Sequence, residues 1–216
     1  ADRLGVQAPP VLLVLHTTFA GAFRPIFSAA VQSGDPSGLD DEETRIYEEL
    51  TLFFATDAGY AIESATHPQA LYGIADSPIG LAAWMLDHDA TSLALISRVF
   101  VDGAQEGLTR DDVLDNITHY WLTNTGVSSA RLYWENRVGF FDPKAWPTAD
   151  DRAIVDIPVS VSVFPDEIYR APRSWAEEAY PKLIHYNKLD KGGHFAAWEQ
   201  PELFVSEVRT GLRSLR

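Results

Sequence analysis

A chain of 216 residues with 46% apolar and 12% aromatic content can build one domain with a sizeable core, or a core plus an insertion, and is too apolar for a disordered segment. Its 17 basic and 31 acidic residues leave a formal charge of −14, which argues against nucleic acid and anionic membrane surfaces as partners. The lack of cysteine removes disulfides, thiolate metal sites and cysteine nucleophiles together, and fits a reducing, cytoplasmic setting.

The opening ADRLGVQAPP reads as the tail of a helix entering a strand, without a starting Met or a signal peptide. The true N-terminus is therefore expected upstream. VLLVLH (11–16) is a short continuous apolar run, the pattern of a strand buried on both faces of a parallel sheet. No run of about 18 apolar residues follows anywhere, so no membrane segment is expected. SGDPSGLDDEE (33–43) lacks the alternating ligand spacing of a calcium loop and reads as a solvated turn running into a helix start.

From there to about residue 140 the pattern is mostly helical. DDEETRIYEELTLFFATDAGY starts with acids suited to a helix N-terminus and continues with an apolar face. SPIGLAAWMLDHD offers Ser77 as an N-cap and Pro78 at the first helical position. In LTRDDVLDNITHYWLTN, Thr109 and Asp112 have the spacing of a capping box, with Asp in place of the usual Glu. IPVSVSVF (157–164) and LIHYNKL (183–189) are two further strands. APRSWAEEAYPK is a short helix between them, entered through Pro172, and PELFVSEVRTGLRSL is an amphipathic helix after them. Strand, helix, strand, helix implies a parallel sheet covered by helices. The expected fold class is α/β: a core strand in 1–20, a helical lid in 21–140, and a C-terminal core in 141–216.

Six histidines (16, 67, 88, 119, 185 and 194) show no close metal-ligand spacing, so neither a metal nor a cofactor is expected. His88 lies near a helix C-terminus, His119 within a helix and His185 inside a strand, all places with structural explanations. His194 differs, because it follows a strand end in LDKGGHFAAWEQPE, and open parallel sheets gather their chemistry outside the carboxyl ends of strands. A histidine base needs a carboxylate on its other ring nitrogen. VFPDEIY supplies Asp166 and Glu167 after the preceding strand, one β–α–β step earlier, and either can be the partner. No G-x-S-x-G nucleophile elbow precedes the pair, and Ser77 reads as a helix cap.

Four segments resemble, in order, the epoxide hydrolases of the α/β-hydrolase fold, in the branch of the microsomal enzyme and its bacterial relatives. They are DAGYAIESATHPQALYGIADSPIGLAAWML, ITHYWLTNTGVSSARLYWEN, VFPDEIYRAPRSWAEEAYPKL and KGGHFAAWEQPELF, spanning about residues 57–204. The resemblance implies a two-step reaction on a small apolar epoxide and water: an aspartate opens the epoxide as an ester, then a histidine–acid pair activates water to hydrolyse it. By the same resemblance His194 is the base, Glu167 its acid, and Tyr60 and Tyr133 the lid phenols that serve the epoxide oxygen. Nothing local separates those two from Tyr72, Tyr120, Tyr169 or Tyr186. Trp84, Trp121, Trp134, Phe195 and Trp198 are candidates to line an apolar pocket, or are simply core. The family's nucleophilic aspartate and H-G-x-P segment have no counterpart here, so the chain is expected to need an upstream segment to complete the site. An esterase or dehalogenase of the same fold, a non-catalytic binding module and a homodimer stay open.

Overall fold

A computed structural model describes residues 12–14, 30, 34–87, 89–103, 107–135, 157–168 and 170–215. His16, His88, Tyr169, the opening ADRLGVQAPP and the lid-to-core boundary near 140 lie outside the described residues. Three strands, β1 (Leu12–Val14), β2 (Val159–Val163) and β3 (Leu183–Lys188), form a parallel sheet in the order β1-β2-β3. Leu12 is in register with Val159, and Val161 with Tyr186. The parallel crossover expected from the 157–216 pattern is present: β2 leads through α9 (Arg173–Ala179) to β3, and α11 (Pro201–Gly211) packs against both strands.

Alternation along β2 sorts its two faces. Val159, Val161 and Val163 enter a core with Ala171, Trp175, Ala176 and Tyr180, and with Ile46 and Leu50 of α1 (Asp41–Thr56). Ser162, on the other face, donates 2.8 Å to Glu207 of α11. The same carboxylate takes a 3.0 Å bond from the Asn187 amide and lies 3.1 Å from His185 Nε2. Helix α1 falls in the stretch expected to form the lid, yet it is tied to the sheet side. The Trp175 indole donates 2.8 Å to the buried Glu43, Arg170 pairs with Glu49, and Lys188 with Glu42.

Among the described residues, the helices between α1 and β2 form a second body of packing: α2 (Gly59–Thr66), α3 (Tyr72–Ala75), α4 (Pro78–Leu86), α5 (Ala90–Asp102), α6 (Arg110–Thr123), α7 (Gly126–Ser129) and α8 (Arg131–Glu135). Its centre is Leu95 and Val99 of α5 with Leu108, Val113 and Ile117. Their starts follow local chemistry. Asp40 and Glu43 close a capping box on α1, Ser77 accepts from Gly80 N at 3.0 Å on α4, and Thr109 and Asp112 cap each other's ends on α6. Ser77 is thus engaged as a cap. The loop before α6 meets the sheet side at Gly107. A Cβ there would lie 2.4 Å from Pro201 Cδ and 2.7 Å from the Trp198 carbonyl, so only glycine fits the approach.

Candidate active site

β2 ends at Val163, and the chain turns through Phe164–Glu167 at the carboxyl edge of the sheet. β3 ends at Lys188 and turns through Gly192–Phe195 into the one-turn helix α10 (Ala196–Glu199). Asp166 and Gly193 form a parallel bridge, with Asp166 N donating 3.1 Å to the Gly192 carbonyl, so the two turns lie side by side. Gly192 sits at φ +100°, where a side chain is strained, and a Cβ would come 2.9 Å from Phe164 Cδ1. The glycine therefore serves the turn that carries the histidine.

Of the two acids, Glu167 is the one bonded to the imidazole. Its Oε1 accepts from His194 Nδ1 at 2.8 Å and from Ile168 N at 2.9 Å. The Glu167 side chain is 2% exposed and that of His194 24%, so the acid is shielded while the imidazole remains accessible. Burial opposes the His194 charge, but the Glu167 hydrogen bond and the charges of Glu167, Asp89 and Glu199 outweigh it. Together they hold the imidazole above the usual histidine range. A carboxylate on Nδ1 fixes the tautomer that leaves Nε2 able to take a proton.

Tyr60 on α2 and Tyr133 on α8 meet edge to face, ring centres 5.7 Å apart at 87°, because the two helices pack together. Burial pushes the Tyr60 phenol well above its usual range, and the nearby Tyr133, Asp89 and Glu167 push it further. Burial and Tyr120 raise Tyr133 as well, while a hydrogen bond with Tyr60 eases its ionisation. Both phenols thus stay protonated at neutral pH.

Tyr60, Tyr133 and His194 border one cavity of about 670 Å³. Its wall is largely apolar, with Trp84, Met85, Leu95, Leu108 and Trp198, and Asn116 adds a polar point. A volume of this order suits a small organic molecule. Among the described residues no group of three or more His, Cys, Asp or Glu is placed to hold a metal. Phe195 also lines the cavity and stands edge-on to His194 at 4.9 Å. Trp121 and Trp134 are not among the lining residues. Of the other tyrosines, Tyr72 is 66% exposed and Tyr186 is spent on the Ala171 carbonyl at 2.7 Å. Tyr120 lines the cavity, which nothing in its local sequence signals.

Two acids near His194 also escape a sequence reading. Asp89 caps α5 by accepting from Ser92 N at 2.8 Å, and its charge reaches His194 and Tyr60. Glu199 bonds the backbone on both sides of the histidine; its only signal is an acid five residues on, in a short turn.

No family model matches the chain. A putative epoxide hydrolase from Stigmatella aurantiaca (strain DW4/3-1) is 42% identical over 182 residues, covering 82% of this chain and 38% of that protein. Epoxide hydrolase 1 of Oryctolagus cuniculus is 38% identical over 164 residues, 74% of this chain and 35% of the relative. The crystal structure of juvenile hormone epoxide hydrolase from the silkworm Bombyx mori superposes with a TM-score of 0.63 at 26% identity, covering 88% of this chain and 45% of that one. The chain therefore spans less than half the length of these proteins. The sheet and its helices are a partial α/β-hydrolase fold, and the sequence match and the fold match each cover most of the chain: it belongs to the epoxide hydrolase family.

Proposed function

We propose that this chain is the lid and base-bearing part of an enzyme that converts an epoxide and water to a vicinal diol. The observation that carries the reading is the shared cavity: a carboxylate-bound imidazole and a facing pair of buried phenols border the same apolar space. An aspartate upstream of residue 1 attacks an epoxide carbon, forming a C–O ester bond as the ring C–O bond breaks. The departing oxygen becomes an alkoxide and takes a proton from Tyr60 or Tyr133, relieving charge where it develops. His194 Nε2 then draws a proton from water, and the hydroxide adds to the ester carbonyl. The tetrahedral adduct then breaks its acyl C–O bond, and the departing diol oxygen takes the proton from His194 while Glu167 stabilises the imidazolium. The water's second proton passes from the aspartic acid to the tyrosinate, which restores aspartate, phenol and neutral imidazole.

The proposed division is a core strand in 1–20, a helical lid in 21–140, whose α1 packs on the sheet side, and a second core segment in 141–216. The apolar wall supports a small apolar substrate, and with it a role in disposing of reactive epoxides. The cysteine-free composition supports a cytoplasmic setting. The test is diol formation by the complete protein, with Tyr60 and Tyr133 both changed to Phe as the discriminating variant. Loss of epoxide opening in that variant supports the reading. Hydrolysis of an added carboxylic ester that is equal in parent and variant, with no epoxide opened by the parent protein either, assigns the site to an esterase instead.

A further inference from the structure

We propose that Glu199 is a positioning residue for the histidine base: its carboxylate clasps the peptide N–H groups on both sides of His194 and fixes where the imidazole points. The proposal rests on the reading of His194 as the water-activating base. Gly193 N donates 2.5 Å to Glu199 Oε2, and Phe195 N donates 3.0 Å to Oε1. Glu199 is 7% exposed, so both bonds are made largely out of water, where a charge-assisted hydrogen bond is strong and losing it is costly.

The local backbone explains why the turn needs this carboxylate. Gly193 and Phe195 lie between the end of β3 and a helix of one turn whose N-cap, Phe195, has no side-chain cap bond. Glu199, at the far end of that turn, reaches back as the acid of a capping box does, and it spans the histidine to do so. On the opposite side of the turn, Asp166 N anchors the Gly192 carbonyl. Between them the residues flanking His194 are held from both sides, which sets the imidazole's aim as well as the Nδ1 bond to Glu167.

Among the described residues, charged and titratable groups facing His194 include Glu167 after β2, Asp89 at the start of α5 and Glu199 on α10, with the Tyr60 and Tyr133 phenols on the same cavity. Removing the Glu199 charge alone therefore makes the imidazolium less favourable, and a split between ester formation and ester hydrolysis tells positioning of the base from a general loss of structure.

The experiment compares Glu199→Gln and Glu199→Ala with the unsubstituted complete protein, in which ester formation and ester hydrolysis are timed separately. The His194 ring is titrated by NMR in each, with His194→Gln identifying its resonance. The expected result is hydrolysis slowed roughly 10- to 100-fold by misaim of the base, with ester formation unchanged and the His194 midpoint moved to lower pH. Both steps slowing equally, or an unmoved midpoint, overturns the assignment. Should the complete protein form no ester from any epoxide, the functional reading falls, while hydrogen exchange at the Gly193 and Phe195 amides, faster in Glu199→Gln than in the parent if Glu199 clasps them, still decides the role of Glu199. If neither variant folds, hydrogen exchange in the unsubstituted protein decides: protected Gly193 and Phe195 amides support the clasp, and rapid exchange of both overturns it.

Discussion

A histidine draws a proton from water only while it is neutral, so under the proposed function the pKa of His194 sets where the hydrolytic step begins. Its neighbours Glu167, Asp89 and Glu199 favour the charged ring more than burial opposes it, which places the midpoint above the ordinary value of about 6.5. Ester hydrolysis by the complete protein should rise with pH through that midpoint, and Glu167→Gln should move the rise to lower pH; stopped-flow rates across pH check both. The tyrosines predict a pH-independent profile for ring opening. Their raised pKa values keep both phenols protonated, so ester formation should be flat from about pH 6 to 9. Tyr60→Phe or Tyr133→Phe should slow it by roughly 10²- to 10³-fold without touching hydrolysis of a preformed ester. Single-turnover measurements separate these outcomes. At this scale a sequence reading reaches His194 and an acid one strand earlier, because the β–α–β step fixes their spacing. The spacing alone cannot choose Glu167 over Asp166, since that depends on how two adjacent turns bridge, and only the family resemblance points to Glu167. Tyr120 and Asp89 are invisible to a sequence reading because their neighbours come from other helices.

Helix starts at Asp40, Ser77 and Thr109 were legible because a cap is satisfied within four residues. The partner of α1 was not, since an amphipathic face shows that a helix packs and not against what. The answer lies in Trp175, whose indole reaches across the chain to the buried Glu43. Trp175→Phe keeps a ring in the core but removes that donor from a buried carboxylate. It should cost about 1–3 kcal/mol in urea unfolding, and an unchanged midpoint would remove the bond from the account of α1. On the other face of the sheet, α11 docks through Glu207. Burial would raise its carboxyl pKa, but bonds from His185, Ser162 and Asn187 win and hold it below the usual carboxylate range. A depressed folded pKa means the unfolded chain binds the proton more tightly. The contribution is therefore full above about pH 4.3 and is lost as the pH falls through the lowered folded value. Glu207→Gln should be destabilising at pH 7 and converge with the parent protein in strong acid, as followed by thermal melts.

Over the whole molecule, one cavity joins two bodies of packing that come from different stretches of chain. The sheet side brings His194 and Glu167 through its strand ends, and the helices from α2 to α8 bring Tyr60 and Tyr133. Gly107, pressed against Pro201 and the Trp198 carbonyl, shows how closely the two sides meet beside the histidine turn. The parallel sheet was legible in IPVSVSVF, which is buried on both faces as β2, in the like apolar run VLLVLH, and in the strand–helix–strand order that the more polar LIHYNKL completes. The cavity was not, because its shape depends on how helices cross. Division of labour between the two bodies is the central claim: the lid phenols serve ring opening, and the His194–Glu167 pair serves ester hydrolysis. The most direct test is the mass of the complete His194→Gln protein after mixing with an epoxide. An adduct equal to one epoxide should form at the normal rate and persist, with diol release slowed roughly 10²- to 10⁴-fold. Diol release at the parent rate, or an adduct that never forms although the parent protein makes diol, would contradict it.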